Sequence, residues 1–204
     1  MVEGKEGKKE VAKVTLISHT PYPEYQIIRA ALSTRGIREM PPMLNKEKYL
    51  KNLLQKGHLS VFEFAYATFS IEGVSLVFLA QITRHRLASF AVKSHRYAKA
   101  YGFIIPPEIQ KNMELREKFA SLLDGCYSLY EEMVQKGIKK EDARFILPCA
   151  LSTSMIMSAN FREWLHILKL RTAPEAQWEI REVCKEIGRQ LYKIAPIVFE
   201  EYKE

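Results

Sequence analysis

Basic side chains gather in one short stretch of the sequence, between Arg84 and Tyr97. They are, in chain order, Arg84, His85, Arg86, Lys93, His95 and Arg96. A guanidinium group suits phosphate because its planar fork donates two parallel, charge-assisted hydrogen bonds. The hydroxyls of Ser89 and Ser94, with loop N–H groups, can complete an anion cradle. The stretch therefore predicts a ligand that carries phosphate, with a solvated basic face or a contact to an RNA backbone as the alternatives.

The overall composition agrees with an anionic partner. The chain has 204 residues and a formal net charge of +7, which favours nucleotides, folates or nucleic acid without choosing among them. The apolar run Val74–Ile82 is shorter than the roughly 18 residues that span a bilayer, so no membrane association is expected. Three widely spaced cysteines, Cys126, Cys149 and Cys184, indicate a reducing, cytoplasmic location and argue against disulfides or a metal site.

The first half of the chain alternates between strand and helix patterns. We predict a strand over Val11–Ser18 and helices over Pro23–Thr34 and Asn45–Lys56. Val61–Ile71 is rich in β-branched and aromatic residues and predicts a further strand, which Gly73 would end. The next apolar run, Val74–Thr83, fits either a strand or a helix.

The second half of the sequence predicts mainly helices, over Glu108–Gln135, Glu141–Leu147, Asn160–Leu170 and Pro174–Tyr192. The long first helix has a predicted inner stripe of Phe119, Leu122, Cys126, Leu129 and Met133. This order predicts an α+β fold with a central, mostly antiparallel sheet flanked by helices, and long helices in the C-terminal half. We expect a charged, disordered tail over residues 1–10 and a single domain over residues 11–204.

The basic stretch also carries a specific motif. Arg84-His85-Arg86 is followed by seven residues and then Ser94, and Ser89 and Arg96 occupy two further positions of the pattern. This arrangement resembles the signature of the flavin-dependent thymidylate synthases, also called thymidylate synthase-complementing proteins. Other similar segments follow in the family's order: Gly57–Glu63, Gln81, Ala143–Pro148, Asn160–Trp164 and Leu170–Ile180.

The resemblance assigns residues to two ligands. It places FAD near His58, Ser60, Arg84, His85, Arg86, Asn160, Arg162 and His166. It places dUMP near Gln81, Arg84, Ser94, His95, Arg96, Arg144 and Arg171. In this assignment Arg171 is the catalytic residue, because its permanent charge can stabilise negative charge that develops on the pyrimidine.

The resemblance also implies a reaction. The expected activity is synthesis of dTMP from dUMP, with methylenetetrahydrofolate as the one-carbon donor, NADPH as the reductant and no cysteine nucleophile. The expected assembly is a homotetramer with shared active sites, with no nucleic acid bound. Two positions depart from the family, since Ala91 and Val92 stand where polar residues are usual. The alternatives are a catalytically altered paralogue that binds flavin or nucleotide and, less favoured, a basic RNA-binding protein.

Overall fold

One antiparallel sheet with four strands lies within the part of the chain that the structure, a computed structural model, describes: residues 12–94 and 102–204. The strands are β1 (Lys13–His19), β2 (Tyr66–Ser75), β3 (Ser89–Val92) and β4 (Ser152–Asn160), and their order in the sheet is β1-β2-β4-β3. In the second part of β4 every other side chain is buried, namely Met155, Met157 and Ala159, as expected for a strand with one face on the core.

Helices make up most of the remaining described residues. They are α1 (Pro23–Ser33), α2 (Lys46–Gln55), α3 (Leu76–Ile82), α4 (Pro107–Lys111), α5 (Met113–Gln135), α6 (Lys140–Ala143), α7 (Phe161–Arg171) and α8 (Trp178–Ile194). Short 3-10 helices cover Leu59–Phe64, Arg144–Ile146 and Glu200–Tyr202. The predicted α+β class, with an antiparallel sheet and long C-terminal helices, is confirmed. The division into a tail and one domain stays a prediction, and residues 1–10 lie outside the described residues.

The predicted strand Val61–Ile71 is wrong in its first part. Val61 and Phe62 are consecutive and both buried, which a half-exposed strand does not allow but a helical turn does. The chain accordingly forms the 3-10 helix Leu59–Phe64 and enters β2 only at Tyr66. Gly73 does not end that strand but lies inside it at a φ of 68°, a conformation that glycine adopts without strain.

The long helix predicted over Glu108–Gln135 is interrupted at Asn112. The Asn112 side chain accepts a hydrogen bond of 3.1 Å from the Leu115 backbone N–H, so it caps a new helix, α5. The predicted inner stripe is also wrong, because α5 buries Leu123 and Tyr130 while Leu122 is 66% exposed.

Two further differences concern the C-terminal half. Strand β4 was not predicted, since its Ser and Met residues have weak strand propensity. Helix α8 begins at Trp178 instead of Pro174, because the Gln177 side chain accepts from the N–H groups of Glu179 and Ile180 and fixes the start there.

The described residues divide into two compact units. The first contains Ala12 and Lys13 with the described parts of Glu72–Gln81 and Val92–Met155; the second contains Val14–Ile71, Ile82–Ala91 and Ile156–Glu204. Within the first unit, backbone bonds join Lys93 N–H to Ser154 and Ile104 N–H to Ala150. Its surface carries Leu122 and the 87% exposed Phe145.

The core of the second unit fixes helix α7 against strand β2. Trp164 is fully buried, meets Phe69 edge to face at 5.2 Å between ring centroids, and donates its indole N–H to the Ala67 carbonyl at 3.1 Å. Phe161, at the start of the same helix, packs against Phe199 at 5.0 Å. These buried aromatic contacts hold the polar face of α7 in a defined position.

Candidate active site

The motif Arg84-His85-Arg86 places three consecutive side chains in different environments. It follows α3 and precedes β3, in a turn closed by the hydrogen bond from His85 N–H to the Ile82 carbonyl at 3.2 Å. His85 is only 6% exposed, whereas Arg84 and Arg86 are both exposed. The turn therefore buries the imidazole and leaves the flanking guanidinium groups at the surface.

Arg171 contacts the buried imidazole directly. It is the last residue of α7, and its Nε donates a hydrogen bond of 2.9 Å to His85 Nε2. An arginine Nε–H can only donate, so His85 Nε2 must carry a lone pair. In a neutral imidazole the single proton then resides on Nδ1.

Glu163 faces the other nitrogen of the same ring. Its Oε1 lies 3.5 Å from His85 Nδ1, and its side chain is buried like that of His85. Burial, together with the Arg171 charge and the neighbouring His166, lowers the pKa of His85 to about 4. The ring is therefore neutral near pH 7, and the contact is an Nδ1–H group facing a carboxyl oxygen, not an ion pair.

The electrostatics of Glu163 itself are set mainly by burial, which raises the pKa of its carboxyl group. His166 and Arg162 oppose that shift through their charge. The His166 ring lies near His85, with 5.9 Å between centroids in an edge-on arrangement, and its own side chain is exposed. Helix α7 thus supplies both a buried carboxyl group and an exposed imidazole to the surroundings of His85.

The first turn of α7 carries two more residues that the sequence assigned to flavin. Asn160 caps the helix, since its Oδ1 accepts from the Glu163 N–H at 2.9 Å. Arg162 is half exposed and donates to Glu63 Oε1 at 2.6 Å. The remaining two flavin candidates, His58 and Ser60, are exposed at the start of the 3-10 helix Leu59–Phe64.

Several dUMP candidates lie in the other unit of the chain. Gln81, at the end of α3, donates to the Val77 carbonyl at 3.3 Å, and the exposed Arg144 donates through Nε to the Glu141 carbonyl at 3.2 Å. Ser94 is exposed just after β3. His95 and Arg96 fall outside the described residues, so their assignment stays a prediction.

Two carboxyl groups in these contacts were absent from the sequence-based site, Glu163 and Glu63. The only local signal for Glu163 was its place three residues after Asn160, which predicts a helix cap. Its contact with His85 joins two distant parts of the chain, so no local spacing indicates it. The same holds for Glu63 and Arg162.

The donors of the second unit suit an anionic ligand. Exposed guanidinium groups of Arg84 and Arg86, with Arg162 and the His166 imidazole, offer N–H donors of the kind that bind a pyrophosphate. Among the described residues, no group of three His, Cys, Asp or Glu side chains is arranged to hold a metal ion. No helix in the described ranges is both long and apolar enough to span a membrane.

Comparison with known proteins identifies related sequences over most of the chain. The family model described as thymidylate synthase complementing protein matches residues 15–197. A flavin-dependent thymidylate synthase of Pyrococcus furiosus is 39% identical, over 92% of this chain and 83% of the relative. Proteins of the same name from Geobacter sulfurreducens and Thermococcus onnurineus are 36% and 38% identical, covering 93% and 91% of this chain and 86% and 82% of their own lengths.

Proposed function

Because this chain belongs to the thymidylate synthase complementing protein family, we propose that it is a flavin-dependent thymidylate synthase that converts dUMP to dTMP. The observation that carries the proposal is the orientation of Arg171 by a buried, neutral His85 through a 2.9 Å hydrogen bond. A permanently charged group held in one orientation can stabilise charge that develops in a reaction.

The flavin would be held by donors of the second unit. Arg84, Arg86 and Arg162 would supply positive charge for its pyrophosphate, and His58, Ser60, Asn160 and His166 would supply further polar groups. Bound FAD would supply hydride transfer chemistry, with NADPH as its reductant. His85 contributes differently, since its imidazole is buried and is engaged by Arg171.

The dUMP substrate would be bound by a second set of polar and basic side chains: Gln81, Arg84, Ser94, His95, Arg96, Arg144 and Arg171. In this proposal Ser94 and its neighbours bind the phosphate, and Arg171 faces the pyrimidine. The guanidinium group lowers the cost of negative charge on the ring without moving a proton, because it stays protonated.

The one-carbon unit would come from methylenetetrahydrofolate, and no enzyme cysteine would act as nucleophile. Burial raises the pKa of the Cys184 thiol to about 12, so this cysteine near Arg171 is held as an unreactive thiol.

We further propose a cytoplasmic homotetramer with shared active sites. This assembly is proposed from the family resemblance.

One observation favours a second candidate function, a family member with altered chemistry. Ala91 and Val92 in β3 are exposed, and Val92 retains 38% of its accessible surface. Neither side chain can hydrogen-bond a ribose or a flavin edge, and an unpaired polar partner costs about 1–3 kcal/mol. Such a protein would bind flavin and produce little or no dTMP.

The test is dTMP formation by the purified protein with FAD, NADPH, methylenetetrahydrofolate and dUMP. We expect a yellow protein whose product depends on every component, and a Cys149→Ala variant with unchanged activity. A yellow protein without product would favour the altered family member. A colourless protein without product, at saturating FAD, would refute the flavin enzyme.

A further inference from the structure

We propose that Glu163 is a positioning residue for Arg171 and acts through the His85 imidazole. The proposal deepens the proposed function and rests on it for the catalytic role of Arg171. It is carried by two contacts on opposite sides of one ring, Arg171 Nε to His85 Nε2 at 2.9 Å and His85 Nδ1 to Glu163 Oε1 at 3.5 Å.

The two contacts depend on each other through the tautomer of His85. A neutral imidazole carries one proton, so the nitrogen that accepts from Arg171 is a lone-pair acceptor only while the proton stays on Nδ1. A carboxyl oxygen 3.5 Å from Nδ1 favours that tautomer, because its negative partial charge attracts a proton on Nδ1 and would repel a lone pair there. If the proton moved to Nε2, two N–H groups would face each other and the Arg171 contact would be lost.

The position of Glu163 is costly unless its carboxyl group has such a role. The helix cap at Asn160 uses only the Glu163 backbone N–H, so capping does not require an acidic side chain there. The side chain nevertheless lies buried, and an isolated carboxylate is expensive to remove from water. The charged or titratable groups that act on it are Arg162 and His166 on α7 itself, and His85 from the turn before β3 lies against it.

Fixing Arg171 through Nε also fixes the plane of its guanidinium group. Arginine otherwise has many rotamers, and ordering such a side chain costs up to about 2 kcal/mol. A charge that is already oriented needs no reorganisation during the reaction. Glu163 would therefore influence the rate of the chemical step more than the binding of dUMP.

The first experiment reads the tautomer without any catalytic assay. In protein with ¹⁵N-labelled histidine, the two ring nitrogens of His85 give distinct signals for the protonated and lone-pair forms, assigned with a His85→Gln variant. We expect protonated Nδ1 in the wild type and a shift toward protonated Nε2 in Glu163→Ala. Glu163→Gln keeps an oxygen acceptor beside Nδ1, so its His85 signals should be intermediate between those of the wild type and Glu163→Ala. If Glu163→Ala does not fold, Glu163→Gln takes its place in the comparison.

The second experiment measures kcat and KM for dUMP in the same variants. We expect Glu163→Ala to lower kcat by roughly 10- to 100-fold, as loss of an orienting partner does at other sites, with a smaller change in KM. The matched control is Glu24→Ala, which removes a partly buried carboxyl group of the same unit that accepts from the Ile197 N–H. It should leave both the His85 signals and kcat unchanged.

The outcomes separate the inference from the function on which it rests. Unchanged His85 signals and kcat in Glu163→Ala, in a wild type that makes dTMP, would overturn the positioning role alone. A wild type that makes no dTMP would refute the proposed function, and the tautomer signals would still decide whether Glu163 orients Arg171 through His85. An equal loss of kcat in Glu24→Ala would show a general structural effect and overturn the proposal.

Discussion

Two neighbouring residues of α7, Arg162 and Glu163, form polar side-chain contacts in opposite environments. Glu163 is buried against His85, whereas Arg162 reaches the surface and pairs with Glu63 at 2.6 Å, both partners being about half exposed. The shorter contact is not the stronger constraint, because water screens an exposed pair and side-chain freedom competes with it. Burial instead gives the His85 contacts a fixed orientation.

This difference indicates a division of roles along one helix. The exposed cation can exchange its carboxylate partner for an incoming anion at little cost. The buried side chains of His85 and Glu163, with the half-buried Arg171, cannot rearrange without leaving a polar group unpaired. We therefore expect the exposed side to determine cofactor affinity and the buried side to determine the rate of reaction.

The largest expected effect is that of Arg171→Ala, compared with a separate Arg162→Ala variant of the same helix. Arg171→Ala should lower kcat by about 100- to 1,000-fold while flavin stays bound, because a preoriented charge is lost. Arg162→Ala should weaken FAD binding by about tenfold and leave kcat at saturating FAD within a few-fold of the wild type. Flavin titrations and steady-state rates check both, and the reversed pattern would contradict the division of roles.

The next effect is a dependence of stability on pH. The pKa of His85 is lowered from its ordinary value of 6.5 to about 4 in the folded chain. Between pH 6.5 and pH 4 the His85 imidazole therefore takes up a proton more readily in the unfolded chain than in the folded chain. The free energy of unfolding should consequently fall by about 3 kcal/mol as the pH is lowered from 6.5 to 4, and this contribution is fully present above pH 6.5. Protonation of Glu163, whose pKa is raised, opposes this loss in part.

Denaturant unfolding of the wild type and His85→Gln across this pH range checks the expectation. The difference in unfolding free energy between the two proteins should be largest near neutral pH and should shrink in acid. His58→Gln is the matched control, because that imidazole is exposed and its replacement disturbs no buried contact. If the difference in unfolding free energy between the wild type and His85→Gln did not change with pH, the buried His85 would not be the source of the pH dependence.

The smallest expected effect concerns the exposed pair. Glu63→Gln should change the unfolding free energy by less than about 1 kcal/mol, as is usual for exposed ion pairs. It should tighten FAD binding a few-fold at low salt, because it removes the competing carboxylate, and this gain should disappear as salt screens the charges. Glu47→Gln, which breaks the exposed pair with Lys51, should leave FAD binding unchanged.

Local sequence signals predicted much of the fold where capping and periodicity agree. Helices α1, α2 and α7 lie close to their predicted bounds, and Asn45 and Asn160 cap their helices with side-chain oxygens. The errors arose where tertiary burial overrides propensity, as at Val61 and Phe62. In β4, alternate burial of Met155 and Met157 makes a strand from residues that favour none.

The candidate site was predictable as a motif but not as an arrangement. The spacing of Arg84, His85, Arg86 and Ser94 was sufficient for the family, which the comparisons confirm. It gave no sign that His85 is buried while its neighbours are exposed, since that depends on packing against α7. The roles assigned to individual residues stay predictions, because resemblance alone supports them.

The measurement that tests the central claim most directly is release of tritium from 5-tritiated dUMP, with FAD, NADPH and methylenetetrahydrofolate present. Wild type and Arg171→Ala are compared at saturating FAD, with equal flavin content verified by absorbance. We predict release by the wild type and a loss of about 100-fold or more in the variant. No release by a flavin-loaded wild type, or equal release by both proteins, would contradict the account.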